Sequence, residues 1–251
     1  MDWHKRYLQQ AEWTRDLRAY LLRQAGLAGA RRVLEVGCGT GVILQDMAAR
    51  VSSSRPPIPQ IHGLDISSEA LSQSKHNAPA ACLTRGDALA LPFLNGVFDI
   101  VCCHFLLLWV LDPPSAVREM RRVTRRGGYV LALAEPDYSG RVDKPATLAP
   151  LGHLQRQSLE RQGAHTGIGS ALNALFHEAG LGILESGQIE AWSPSPQTDE
   201  AFRGEWEVLE QDLKGVLSGA ELHRLKELDA AATQRGERTL HVPTYFALAQ
   251  V

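Results

Sequence analysis

The stretch from Arg31 to Gly41, Arg-Arg-Val-Leu-Glu-Val-Gly-Cys-Gly-Thr-Gly, constrains this chain more than any other. Val33, Leu34 and Val36 suit a strand buried on both faces. Glycines at 37, 39 and 41 then turn the backbone tightly and let a ligand approach it. From Val42 to Arg50 apolar residues recur at helical spacing, so the segment reads strand, glycine turn, helix, with free N–H groups at the helix start. That is a cradle for a nucleotide-like group.

The spacing separates two cofactor classes. A dinucleotide fingerprint, G-x-G-x-x-G, needs a third glycine for close helix packing, and Val42 stands in that place. Glu35, just before the turn, is unwelcome beside a pyrophosphate but useful beside an ammonium and a sulfonium. The pattern Glu35-x-Gly37-x-Gly39-x-Gly41 resembles motif I of the class I S-adenosylmethionine-dependent methyltransferases.

Other stretches extend the resemblance. Gln60 to Leu64 reads as a second strand ending at Asp65, roughly 20 residues past the turn, where an acidic residue suits a ribose diol in either cofactor class. Ser67 is placed to cap the next helix, and a helix-capping role for Asp65 itself is the plain alternative. After a third strand over 80–85, Gly86-Asp87-Ala88 followed by Leu91-Pro92-Phe93 is similar to the adenine-binding loop of the type-11 and ubiquinone-biosynthesis-like methyltransferases. The resemblance implies that Asp87 accepts from the adenine amino group and that the Ala88 amide donates to the ring. A fourth strand, Val97 to Cys103, matches the family's Phe-Asp-x-Val; Asp99 in it reads as a loop anchor, and His104 follows at the strand end, where open α/β sheets place ligands.

The resemblance therefore implies an α/β, Rossmann-like, doubly wound seven-stranded sheet, mostly parallel, with an antiparallel last strand and a helical cap. It implies S-adenosyl-L-methionine as cofactor, contacted by Tyr7, Trp13, Glu35, Gly37, Cys38, Gly39, Asp65, Ile66, Gly86, Asp87, Ala88 and His104. One domain over 1–251 is expected: a cap helix in 1–30, a cofactor core in 31–135, a lid in 136–167, and a C-terminal part in 168–251 carrying a helical insertion at about 195–236. In more detail, one N-terminal helix is expected over Tyr7–Leu22, a fifth strand over Tyr129–Ala134, a sixth over Leu181–Trp192, mostly helix over Asp199–Arg235, and a last strand over Thr239–Ala249. Residues 52–57 read as a loop.

Methyl transfer from a sulfonium needs alignment above all, and a base only if the acceptor carries a proton. Base candidates are His104, His153, His165, Glu135 and Tyr138, of which His104, His165 and Tyr138 are taken forward as catalytic candidates. A packing role for His104 stays open. Asp112-Pro113-Pro114 lies too far past the fourth strand, and ends in Ser115 rather than an aromatic, for an amino-methylating motif; it reads as a capped helix start.

Partners follow from charge. With a net charge of -2, 44% hydrophobic and 22% charged residues, the chain is ordinary globular material with no strongly basic surface, so no nucleic acid is expected. The arginines from Arg118 to Arg126 read as a solvated helix end. No metal-ligand spacing emerges from the nine histidines, and the apolar run Phe105 to Leu111 is too short to span a bilayer. Four cysteines, all in or beside predicted strands, read as reduced core thiols of a cytoplasmic protein. A small organic acceptor is the expected partner, with the oligomeric state open. The rival functions are an NAD(P)-dependent oxidoreductase and a non-catalytic S-adenosylmethionine-binding protein.

Overall fold

The computed structural model describes residues 3–52, 58–189 and 199–251, with no side-chain description for 199–201. Residues 53–57 of the expected loop at 52–57, the end of the sixth strand at Trp192 and the start of the helical insertion at 195 lie outside the described residues.

Seven strands form one sheet: β1 Arg32–Val36, β2 Gln60–Asp65, β3 Cys82–Arg85, β4 Phe98–Cys103, β5 Thr124–Pro136, β7 Gly182–Ile189 and β9 Thr244–Gln250, in the order β3-β2-β1-β4-β5-β9-β7. The pairs from β3 to β5 are parallel, and β9 runs antiparallel to both of its neighbours. This is the expected doubly wound sheet with its reversed last strand. Strand alternation explains why both faces are covered. Leu34, Val36, Val101, Val130 and Ala132 pack on one face with α5 (Pro113–Val123) and α7 (Ile168–Glu178). On the other, Val33, Ile100, Cys102, Leu131 and Leu133 pack with α2 (Arg15–Gln24) and α3 (Val42–Val51). The sheet thus reads as nearly continuous apolar runs, as parallel strands buried on both sides must.

Local chemistry sets the helix starts. The Ser67 hydroxyl accepts from the Ala70 amide to open α4 (Ser68–Asn77), and Asp112 accepts from the Ser115 amide ahead of Pro113 to open α5. At the far rim of the sheet, Asp99 accepts from the Arg31 and Arg32 amides at 2.8 and 2.9 Å and anchors the entry to β1.

Three expectations are corrected, and a fourth, helix over most of 199–235, is borne out in two pieces. The N-terminal helix is two, α1 (Trp3–Trp13) and α2, broken at Thr14, whose backbone at φ -108° and ψ 6° leaves the helical range. The last strand is also divided. Thr239–His241 (β8) pairs with β6 (Val142–Lys144) in a separate two-stranded sheet, and Pro243, which has no N–H to donate, precedes β9. The segment from 199 splits into α8 (Asp199–Asp212) and α9 (Gly219–Gln234), with Gly215 at φ +79° between them. Cys82 is exposed on the edge strand, while Cys38, Cys102 and Cys103 are buried.

A smaller core of Leu151, Trp206, Leu209 and Leu213 joins α6 (Ala149–Arg161) to α8. Beneath it lies a buried polar network: Arg141 and Arg238 both grip Asp143 at 2.8 Å, Arg238 also pairs with Asp229, and the Trp206 indole donates to Asp229 at 2.8 Å.

Candidate active site

The carboxyl ends of β1, β2, β4 and β5 open into a cavity of about 480 Å³ roofed by α1 and α8. The turn after β1 shapes its floor. Gly37 sits at φ +74°, and a Cβ there would lie 2.6 Å from Leu106 Cδ1; Gly41, at φ +85°, approaches Ser74 so closely that a Cβ would lie 2.5 Å from its hydroxyl. Only glycine meets both demands without strain. Helix α1 closes over this turn: His4 Nδ1 lies 2.8 Å from Thr40 Oγ1, and the Tyr7 ring covers Gly39. Beside the cavity, Arg6 pairs with Glu205 of α8 at 3.3 Å, and both line a smaller adjoining chamber.

Eight of the expected residues line this cavity: Tyr7, Glu35, Gly37, Cys38, Gly39, Asp65, His104 and Tyr138. Trp13 lines a smaller adjoining chamber of about 120 Å³, which shares Arg6, Gln10 and Tyr138 with the first. Gly86, Asp87, Ala88 and Ile66 stand outside the lining of both. The loop that carries them abuts the site through the Gly86 amide, which donates to the Asp65 carbonyl at 3.0 Å. Asp87 itself accepts from the Leu89 amide at 2.9 Å, and Ile66 is exposed. His165 is exposed outside the cavity, with its backbone amide on the Leu108 carbonyl.

Electrostatics distinguish the carboxylates. Glu35 is 2% exposed, and burial pushes its carboxyl up to about 8 although the Arg18 guanidinium opposes this. Its Oε2 is buried with no hydrogen-bond partner among the described residues. Asp65 is half-buried, accepting from the Gly39 amide with one oxygen at 2.8 Å and from the Ser67 amide with the other at 2.9 Å. Each oxygen keeps a further lone pair for a hydroxyl. Glu135, a base candidate by sequence, is committed elsewhere: it accepts from the Leu106, Leu107 and Leu108 amides at 3.0, 3.1 and 3.4 Å. It thereby fixes the turn after β4, where Phe105 takes φ +53°. His153 is exposed on α6. The Tyr138 phenol is pushed up by burial, with Glu205 acting in the same direction, so it holds its proton.

Three residues were not found by sequence reasoning. Arg18, 3% exposed, donates to Asp46 at 2.8 Å and to the Thr14 hydroxyl at 2.7 Å. The Thr14 hydroxyl in turn lies 2.9 Å from His104 Nε2. An arginine beside Leu17, Leu21 and Leu22 on an apolar helix face was the available signal. Asp212, at the end of α8, lines the cavity and takes a hydrogen bond from Gln155 at 2.7 Å. Burial raises its carboxyl, and Glu205 reinforces the shift. Arg6 completes the set, its guanidinium 5.0 Å over the Trp13 ring.

Residues 34–132, from β1 into β5, match the family model described as a methyltransferase domain. Over that stretch the chain is similar to a methyltransferase domain, in keeping with the resemblance of its glycine turn to the class I S-adenosylmethionine-dependent methyltransferases. It is 38% identical over 125 residues to a malonyl-[acyl-carrier protein] O-methyltransferase of Erwinia pyrifoliae, covering 50% of this chain and 45% of that protein. Against a demethylmenaquinone methyltransferase of Staphylococcus aureus it is 33% identical over 119 residues, 46% of this chain and 48% of the relative. The chain thus spans about half the length of the curated relatives it matches. Among solved structures, a Haemonchus contortus phosphoethanolamine N-methyltransferase 2, in complex with phosphomonomethylethanolamine and S-adenosylhomocysteine, aligns with a TM-score of 0.60 at 17% identity, over 97% of this chain and 57% of that one. At that identity the likeness is one of fold. Among the described residues, no helix is long and apolar enough to cross a membrane, and no three His, Cys, Asp or Glu cluster as a metal site.

Proposed function

We propose that this chain binds S-adenosyl-L-methionine in the cavity at the carboxyl ends of β1, β2 and β4 and transfers its methyl group to a small organic acceptor held beneath α1 and α8. The observation that carries the reading is the orphaned, buried Oε2 of Glu35 beside the glycine turn. A buried acceptor without a donor costs stability unless a ligand supplies one, and an ammonium beside a sulfonium would supply both a donor and a charge.

In this reading Glu35 receives the cationic end of the cofactor, the bare backbone of Gly37 and Gly39 lies against it, and Asp65 accepts from the ribose hydroxyls. The Gly86-Asp87-Ala88 loop, joined to Asp65, flanks the base. The cofactor supplies an activated methyl group, whose bond to sulfur breaks with the electron pair left on sulfur as the bond to the acceptor forms. The chain's work is alignment, exclusion of water by the cap, and proton handling. Where the acceptor carries a proton, Asp212 is placed to take it: it lies on the cavity wall with its basicity raised by burial. All of this sits within one domain, with 136–167 and α8–α9 forming the acceptor side.

The test is a comparison of ligands followed by turnover. S-adenosylmethionine is expected to raise the melting temperature while NAD(P)H does not, and small acceptors are expected to consume it. A shift with NAD(P)H alone would favour the oxidoreductase reading. Tight cofactor binding with no turnover across acceptor pools would favour a non-catalytic binder.

A further inference from the structure

A polar relay that the family resemblance does not assign ends at the cavity wall in His104. Arg18 lies on α2, Thr14 at the break between α1 and α2, and His104 at the end of β4. Arg18 Nη1 donates to Thr14 Oγ1 at 2.7 Å, and Oγ1 lies 2.9 Å from His104 Nε2. Arg18 is itself held by Asp46 at 2.8 Å and by the Ala11 carbonyl at 2.8 Å. Among the described residues His104 Nδ1 has no hydrogen-bond partner, and the half-buried ring lines the cavity.

We propose that Arg18 and Thr14 hold His104 as the neutral Nδ1–H tautomer, so that the ring offers the cavity a hydrogen-bond donor and recognises a carbonyl or carboxylate oxygen of the acceptor. The argument is one of donors and acceptors. Thr14 Oγ1 already receives an N–H from a guanidinium, which polarises its own O–H into a better donor. That proton has three oxygen or nitrogen neighbours: His104 Nε2 at 2.9 Å, the Ala11 carbonyl at 3.4 Å and the Gln10 carbonyl at 3.5 Å. The shortest of them is the imidazole. In the other tautomer the Nε2–H dipole would point toward a cation-bound oxygen, while Nε2 as acceptor turns its lone pair toward that charge. Burial and the Arg18 charge both oppose a second proton on the ring. His104 therefore cannot serve as a base through Nε2, and its remaining nitrogen carries the proton. Thr14 and Arg18 are positioning residues in this account.

The tautomer stands independently of any ligand, whereas the oxygen-recognising role rests on the methyltransferase reading above. The test is histidine-selective 15N labelling with long-range proton-nitrogen correlation on the whole chain. The expected spectrum has the unprotonated-type shift on Nε2 of His104, invariant through neutral pH. Thr14→Ser is expected to keep that pattern and Thr14→Val to lose it. With an acceptor in hand, His104→Leu is expected to lower kcat about a hundredfold, as removal of one preorganised donor does, while His104→Asn, which retains an N–H, loses much less. A protonated Nε2 in the wild-type spectrum overturns the inference even if the protein methylates, as does equal loss of kcat in the Leu and Asn variants. Failure to bind S-adenosylmethionine instead removes the proposed function and leaves the tautomer assignment intact.

Discussion

Binding a cation against Glu35 should expel a proton. The carboxyl is 2% exposed and burial raises it to about 8, so at pH 7 about ten molecules carry it protonated for each that has ionised. An ammonium or sulfonium at its orphaned oxygen favours the ionised form. Complex formation at pH 7 is then expected to release about 0.9 proton from this group. Calorimetry of S-adenosylmethionine binding in buffers of different ionisation enthalpy reads that number directly. The cofactor's own amine titrates nearby, but Glu35→Gln keeps that contribution and removes the carboxyl's, so the difference between the two proteins isolates Glu35. The same group sets a stability window. Its folded-state value lies above the unfolded one, so unfolding between pH 4.5 and about 8 releases a proton and stability falls as pH rises through that range. Above it, Glu35→Gln is expected to be the more stable protein, by up to roughly 5 kcal/mol if the whole shift is realised. Equal proton release by wild type and Glu35→Gln at pH 7 would refute the argument, because the carboxyl would then be either already ionised or remote from the cofactor.

His104 gives the opposite sign: burial lowers it from 6.5 to about 3, so the folded protein resists a proton that the unfolded chain takes up, and stability falls as pH drops from 6.5 toward 3. His104→Phe is expected to show a shallower acid limb in melts over that range. With an acceptor that must lose a proton, Asp212→Asn is expected to lower kcat about a hundredfold or more and to remove the acid limb of the pH–rate profile; an unchanged profile would clear Asp212 of the role. Gly41→Ala places a Cβ 2.5 Å from the Ser74 hydroxyl and 3.1 Å from its Cα at φ +85°. It is expected to cost at least about 1–2 kcal/mol from backbone conformation alone, read by denaturant unfolding. Trp206→Phe deletes the buried indole N–H that reaches Asp229 at 2.8 Å, and a loss of about 1–3 kcal/mol is expected in the same assay.

The glycine-turn side of the cavity could be read from the chain because its chemistry is consecutive. Strand alternation over Val33, Leu34 and Val36 announces burial on both faces, and Glu35 then has to be a buried carboxylate at a strand end. Gly37 and Gly41 follow within one turn and need the left-handed backbone that only glycine takes cheaply. Asp65 was legible for the same reason, since a polar residue that closes an apolar strand beside a helix cap lies at the sheet's rim. The roof side was not legible. Thr14 and His104 are 90 residues apart, and Gln155 and Asp212 are 57 apart, so neither pairing leaves a periodic trace. Thr14 also breaks what hydropathy alone presents as one amphipathic helix. The division of the last strand at Pro243 was visible in principle, because a proline cannot sit inside a central strand, but the partner of β8 lies in β6, far upstream.

This asymmetry bears on how specificity is built. The sheet-side walls belong to the main core, where Leu34, Val36, Leu131 and Leu133 are fully buried, and a substitution there costs folding before it alters a ligand. The roof is different. Gln10, Val208, Gln211 and Asp212 face the cavity from α1 and α8, and α8 packs mainly through its own small core of Leu151, Trp206, Leu209 and Leu213. Arg6 and Glu205 tie it to α1 at 3.3 Å, in a pair whose side chains are 11% and 16% exposed. Residues on the roof can therefore change without disturbing the glycine turn, Asp65 or the main core. In the proposed function, a glycine-turn floor in the main core and a roof with its own small core would separate donor binding from acceptor choice. The His104 relay lies at their junction: its ring comes from the sheet and its orientation from the break between the two N-terminal helices.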